Sequence, residues 1–99
     1  MGNYFTYITT NLIRTVLYIG ITNDLERRME EHFANKGKPN TFAGKYGCHF
    51  LIYFERFSNA RFAIEREKEL KKWSRIKKEN LIRIQNPNWR FLNEEIKEQ

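Results

Sequence analysis

The sequence predicts a small α+β domain, a three-stranded antiparallel sheet flanked by helices in the order ββαβαα. Three observations predict it. YFTYIT at 4–9 and VLYIGI at 16–21 are rich in aromatic and β-branched residues, and the polar TNLIRT between them can turn. HFLIYFERF at 49–57 has the same character. The segments after the second and third of these runs carry apolar residues at helical spacing behind residues suited to N-caps. A chain of 99 residues that is 40% hydrophobic and 15% aromatic can bury one core. One domain over residues 1–99 is therefore expected.

The elements follow in order. The first two strands form a hairpin, with Phe5, Tyr7 and Thr9 on one face of the first. In the second, Val16, Tyr18 and Gly20 face one side, and Leu17, Ile19 and Ile21 face the other as core. Asn23 can cap a first helix, with Glu26 as its reciprocal partner and Leu25, Met29 and Phe33 inward. Gly37 and Pro39 end that helix, and KGKPNTFAGKYG at 36–47 reads as a basic loop. After the third strand, Ser58 or Asn59 can cap a second helix with the stripe Ala60, Ala63, Ile64 and Leu70, running to about Trp73. A third helix covers roughly 74–85, with Ile76, Leu81 and Ile84 inward, and stops before Pro87. Asn86-Pro87-Asn88-Trp89 is a turn that pins the tail to the core through Trp89 and Phe91.

Charge narrows the partners. A net charge of +6 and a pI near 9.6 favour an anionic one. Arg66, Lys68, Lys71, Lys72, Arg75, Lys77 and Lys78 crowd one stretch against only Glu67 and Glu69. Trp73 within that stretch and the lysine-glycine loop at 36–47 favour nucleic acid over a membrane. No apolar run is long enough to span a bilayer, and MGNYFTYITT lacks the order of a signal peptide, which places the chain in the cytoplasm. Cys48 is the only cysteine, so it reads as a small buried residue with no intrachain disulfide.

Several residues stand out. A hairpin paired near residues 7 and 18 sets Tyr7 and Tyr18 opposite each other, and Gly20 leaves open space beside Tyr18 for a backbone or ligand. Arg28 and His32 lie one turn apart beside the apolar stripe of the first helix, a cation for phosphate next to a proton carrier. Glu67 occupies a place where the stripe 60, 63, 64, 70 calls for a hydrophobe. An inward carboxylate requires a cation, either an arginine such as Arg28 or a metal.

With these residues in view, the chain resembles the GIY-YIG nuclease family. Tyr18-Ile19-Gly20 is the second half of the signature verbatim, and Phe5-Thr6-Tyr7 stands where Gly-Ile-Tyr would. Tyr7 precedes Tyr18 by eleven positions, Tyr18 precedes Arg28 by ten, and Arg28 precedes His32 by four, as in family members. Glu67 fits the glutamate of a later helix. The KYG, LKKWSR and NP-x-WR stretches are similar to small single-domain bacterial members described as excinuclease-subunit-C-like.

The resemblance implies hydrolysis of DNA phosphodiesters, directed by branched or otherwise unusual structure, with Mg²⁺ or Mn²⁺ and without a small-molecule cofactor. It implies a site of Tyr7, Tyr18, Arg28, His32 and Glu67 completed by an asparagine, Asn86 or else Asn88. Glu67 would hold the metal, Tyr7 or Tyr18 would take a proton from water and His32 would receive it onward, and Arg28 would meet the phosphate. Lys45, Lys68, Lys71, Lys72 and Arg75 would grip flanking phosphates. The alternatives are a nucleic-acid-binding module of the same fold without chemistry, or a protein-interaction domain.

Overall fold

The computed structural model describes residues 2–98. In chain order it contains β1 (Tyr4–Thr10), β2 (Leu17–Thr22), α1 (Leu25–Ala34), α2 (Phe42–Tyr46), β3 (Phe50–Phe57), α3 (Ala60–Lys72) and α4 (Arg75–Gln85), then a 3₁₀ turn at Glu95–Glu98. The α+β class and the three-stranded antiparallel sheet are as expected; the strand order is β2-β1-β3, which makes β1 central. The order ββαβαα gains one element, because FAGKY within the basic loop is the short helix α2. Thr41 caps it by accepting from the Gly44 N–H, and Gly47 ends it in a left-handed conformation at φ 69°.

The hairpin register differs from the expected one. Tyr7 pairs with Gly20 and Thr9 with Tyr18, so the two tyrosines sit diagonally on one face. The connection sets this register. Asn11 Oδ1 accepts from the Thr15 and Val16 N–H groups at 2.8 and 2.9 Å, and Arg14 turns the chain at φ 60°.

Both faces of the sheet are core. On one, Tyr7 and Leu51 pack with Leu25 and Met29 of α1 and with Leu92 and Ile96 of the tail. On the other, Ile8, Ile19, Ile52 and Tyr53 pack with Leu70 of α3 and Ile82 of α4. Adjacent Ile52 and Tyr53 share a face because the register shifts at this point: Ile8 pairs with Tyr53 and Thr9 with Leu51, which leaves Ile52 unmatched. Thr6 Oγ1 donates to the Ala63 carbonyl at 2.8 Å and ties β1 to α3.

Several local expectations are corrected. Asp24, not Asn23, caps α1, accepting from the Arg27 N–H, and Asn59 rather than Ser58 caps α3. Phe33 is 54% exposed, and His32 is the residue of that turn that faces inward. Ile21, at the end of the edge strand, is exposed. Ile76 and Ile84 are exposed too, whereas Ile82 is buried and Leu81 packs against the second cluster. Here α3 lies across all three strands while α4 packs mainly against β3, so α4 buries only a narrow stripe. Trp73 packs on the core beneath Lys77 and Arg66, at 4.1 and 5.1 Å from its ring, and so is no open platform for bases.

The tail is pinned as expected. Trp89 and Phe91 pack against the second cluster, and Phe91 stacks on Phe50 at 4.2 Å. The Leu92 N–H donates to the Leu51 carbonyl and the Leu51 N–H to Asn93 Oδ1, so the tail also satisfies backbone groups of β3. Cys48 is buried, and burial pushes its thiol up to about 11. No helix among the described residues is long and apolar enough to cross a membrane.

Candidate active site

Tyr7 projects from the central strand across Gly20 of the edge strand. The space expected open at Gly20 is filled by this phenol: a Cβ built there would lie 2.5 Å from Tyr7 Oη and 3.1 Å from the Tyr18 ring. Only glycine lets the phenol cross the strand. Gly20→Ala should displace Tyr7, lower stability by about 1–3 kcal/mol and be visible in a urea denaturation midpoint. An unchanged midpoint would show that the crossing is loose.

Beyond Gly20, Tyr7 Oη meets α1. Arg28 Nε lies 3.2 Å away and His32 Nε2 2.8 Å away. A guanidinium only donates, so Tyr7 Oη accepts from Arg28 and can pass its own proton toward His32 Nε2. That direction requires a neutral imidazole. Burial, with the Arg28 charge beside it, pushes the His32 pKa down to about 4. Tyr7 is fully buried, and desolvation raises its pKa to about 12 despite the opposing hydrogen bond and charge of Arg28. Burial works against the Arg28 cation, yet its bonds to Tyr7 and Glu31 hold its pKa above the usual value. Glu31 accepts from Arg28 Nη1 at 3.0 Å, while Nη2 has no hydrogen-bond partner among the described residues.

The depressed His32 pKa has a measurable sign. An unfolded histidine, near 6.5, takes up its proton before the folded one, near 4, does. Stability should therefore be unaffected by this residue above about pH 6.5 and should decline as pH falls toward 4. His32→Gln should flatten melting temperature against pH in that window, leaving the share of His49, which burial and Lys36 also push down. Equal slopes in the two proteins would refute the assignment.

Tyr18 completes the group. Its ring meets His32 edge-on at 5.4 Å, lies 6.3 Å from the Tyr7 ring, and stacks on Phe42 of α2 at 6.0 Å. It is half-buried, and its hydroxyl makes no hydrogen bond to the described residues. Of the two tyrosines, this is the one whose oxygen is open to a ligand. Phe42 was hidden in a stretch read as a basic loop; the cap Thr41 and the terminator Gly47 are the signals that reveal its helix.

Glu67 on α3 is 19% exposed, less inward than the apolar series implied, and its salt bridge is to Lys71 at 3.3 Å rather than to a guanidinium. Its charge contributes to raising the Tyr7 pKa, which places the carboxylate within electrostatic reach of the phenol. Among the described residues, no group of three or more histidine, cysteine, aspartate or glutamate side chains is arranged to hold a metal ion. A lone, partly open carboxylate paired with an exposed lysine suits an ion that keeps most of its water, as Mg²⁺ does.

Two expected residues are used differently. Asn86 is buried at the end of α4, donates from Nδ2 to the carbonyls of Ile52 and Arg90 at 3.0 and 2.8 Å, and accepts from the Arg90 N–H at 3.0 Å. Its amide is occupied in tying the tail to the unmatched residue of β3, and no hydrogen bond joins it to the tyrosines. Asn88 is exposed. Asn86→Ala should cost about 1–3 kcal/mol, since it strands a buried carbonyl, as read by urea unfolding, while turnover per folded molecule is retained. Lost turnover at unchanged stability would return Asn86 to the chemistry. Arg75 donates to the Thr15 and Arg14 carbonyls and pairs with Glu79, bracing the hairpin loop. Lys45, Lys68 and Lys72 are exposed, as is Lys71 beside Glu67.

An apolar hollow of about 510 Å³ between α1, the start of β3 and the tail shares no residue with this cluster. Tyr7, Tyr18, Arg28 and His32 lie instead around Gly20, where α1 and α2 meet the edge strand β2. A model of the GIY-YIG catalytic domain matches residues 3–80, a stretch that contains Tyr7, Tyr18, Arg28, His32 and Glu67. This chain belongs to the GIY-YIG family.

Among its GIY-YIG relatives, a UPF0213 protein of Natronomonas pharaonis is 38% identical over 81 residues, covering 82% of this chain and 92% of the relative. A UPF0213 protein of Clostridium perfringens is 42% identical over 66 residues, covering 67% of this chain and 69% of the relative. The solution NMR structure of a UPF0213 protein from Bacillus halodurans is similar with a TM-score of 0.56 and 29% identity, over 88% of this chain and 89% of that one. GIY-YIG domains are typically nucleases, generally use divalent metal ions, and imply a nucleic-acid substrate.

Proposed function

We propose that this chain is a divalent-metal-dependent endonuclease that hydrolyses DNA phosphodiester bonds as a single cytoplasmic domain, directed by DNA structure. One observation carries the reading. Tyr7, Tyr18, Arg28 and His32, distant in sequence, meet at one place, with an open phenol at Tyr18, a free guanidinium nitrogen at Arg28 and the Glu67 charge in reach.

Each residue then has a task. Tyr18 first gives its proton to solvent; the phenolate then holds the attacking water and takes up the proton that water loses on attack, returning to the phenol. The negative charge of that phenolate is offset by the Arg28 guanidinium, which lies within electrostatic reach. Arg28 also offers Nη2 to a nonbridging phosphate oxygen as negative charge builds there. Tyr7, itself bonded to His32, holds Arg28 in place. Glu67 would hold Mg²⁺ or Mn²⁺, which when bound supplies Lewis-acid stabilisation of the phosphate and the leaving oxygen. Lys45, Lys68, Lys71 and Lys72 bind flanking phosphates, so affinity should fall steeply with salt. Arg75 is left out of this set because its guanidinium braces the hairpin.

A non-catalytic binding module is the competing reading. It gives no account of an open phenol beside a guanidinium with a spare donor. The deciding experiment is a cleavage screen with purified protein on flapped, branched, nicked and single-stranded DNA, with Mg²⁺ or Mn²⁺ and with chelator. Products that require metal are expected; none on any substrate would favour the binding module.

A further inference from the structure

α2 leaves two large rings half in water beside the proposed site. Phe42 is 51% exposed and Tyr46 44% exposed, although neither belongs to a core cluster. They are one helical turn apart, with centroids separated by 4.7 Å. Phe42 in turn lies nearly parallel to the Tyr18 ring, at 26° and 6.0 Å. Tyr46, Phe42 and Tyr18 therefore form one continuous aromatic series that ends at the open phenol. The surrounding segment is uniformly cationic: Lys36, Lys38 and Lys45 are exposed, and residues 36–47 contain no acidic side chain. Lys45 Nζ lies 5.4 Å from the Tyr46 ring.

Rings alternating with lysines match a strand whose bases are unpaired. Bases offer flat π faces to the rings and phosphates meet the ammonium groups, whereas a duplex keeps its base faces stacked on one another. We propose that Phe42 and Tyr46 are a stacking platform for unpaired bases next to the cleaved phosphate, so that the protein engages DNA where one strand is single. This rests on the nuclease reading of the same site and names its substrate class. Continuity with Tyr18 favours a nucleic acid over a lipid surface, since a membrane seated on α2 would cover the phenol.

The test is binding without cleavage: fluorescence anisotropy of labelled oligo-dT and of a blunt duplex, in chelator, with anionic phospholipid vesicles as a third arm. Tyr46→Ala is the decisive variant, because Tyr46 touches Phe42 and not Tyr18. It should weaken oligo-dT binding about tenfold, within the range for one stacked base, and leave duplex binding unchanged. Tyr46→Trp should restore it. Equal losses on both DNAs, no loss on either, or a loss confined to vesicles would overturn the proposal. Since metal is withheld, the two readings fail separately. Stacking that depends on Tyr46 in a protein that never cleaves sinks only the nuclease, and cleavage with unchanged Tyr46→Ala binding sinks only the platform.

Discussion

Tyr18→Phe should lower metal-dependent cleavage by about 10²–10⁴-fold, the contribution of a positioned general base, while the protein melts as the wild type does. The substitution removes one oxygen. That oxygen bonds to none of the described residues, and the ring that remains still stacks on Phe42 and meets His32. The contrast with Tyr7→Phe separates chemistry from architecture. Tyr7 Oη is buried between Arg28 and His32, so its loss leaves Arg28 Nε and His32 Nε2 without a partner and should cost about 1–3 kcal/mol of stability as well as activity. Single-turnover rates alongside thermal melts of the two variants are the measurement. A Tyr18→Phe protein that cleaves at the wild-type rate would remove the open phenol from the mechanism.

Glu67→Gln should reduce cleavage on the order of 10³-fold, corresponding to several kcal/mol of transition-state stabilisation lost with the metal. The amide keeps the volume of the side chain and removes its charge. Stability should scarcely move: the Glu67–Lys71 contact is an i,i+4 helix pair with an exposed lysine, a kind typically worth about 0.3–0.5 kcal/mol. Lys71→Ala is the companion variant. It frees the carboxylate without altering it, so it should leave the metal dependence intact while slightly weakening DNA binding. Titrating Mn²⁺ against rate for the three proteins distinguishes a metal ligand from a surface ion pair. Full activity in Glu67→Gln would exclude the first.

Local sequence determined much of this protein. The strands Tyr4–Thr10, Leu17–Thr22 and Phe50–Phe57 and the helices opening at Leu25, Ala60 and Arg75 follow from propensity, caps and spacing, which act over a few residues. The four-residue step from Arg28 to His32 guarantees their shared helix face. Other features depended on which layers finally met. Periodicity identifies a stripe but not how much of it a neighbour will cover. Hence Phe33, Ile76 and Ile84 came out exposed, while His32, one row over from Phe33, is buried.

The strand pairing was decided by Asn11 closing the hairpin, and that pairing put Gly20, rather than Tyr18, under the Tyr7 phenol. From that single offset follow a sealed tyrosine held by Arg28 and His32 and an open one backed by Phe42. In the same way Asn86 and Arg75 look like functional polar residues in one dimension. In three they satisfy the Ile52 carbonyl and the hairpin loop, because backbone groups left unpaired by an irregular strand or a turn must find partners wherever the fold brings them. The sequence by itself determined which side chains were on hand and which local elements would carry them. The tertiary structure alone decided which were sealed from water and which stayed open to a substrate, since burial belongs to the assembled layers and not to any one segment.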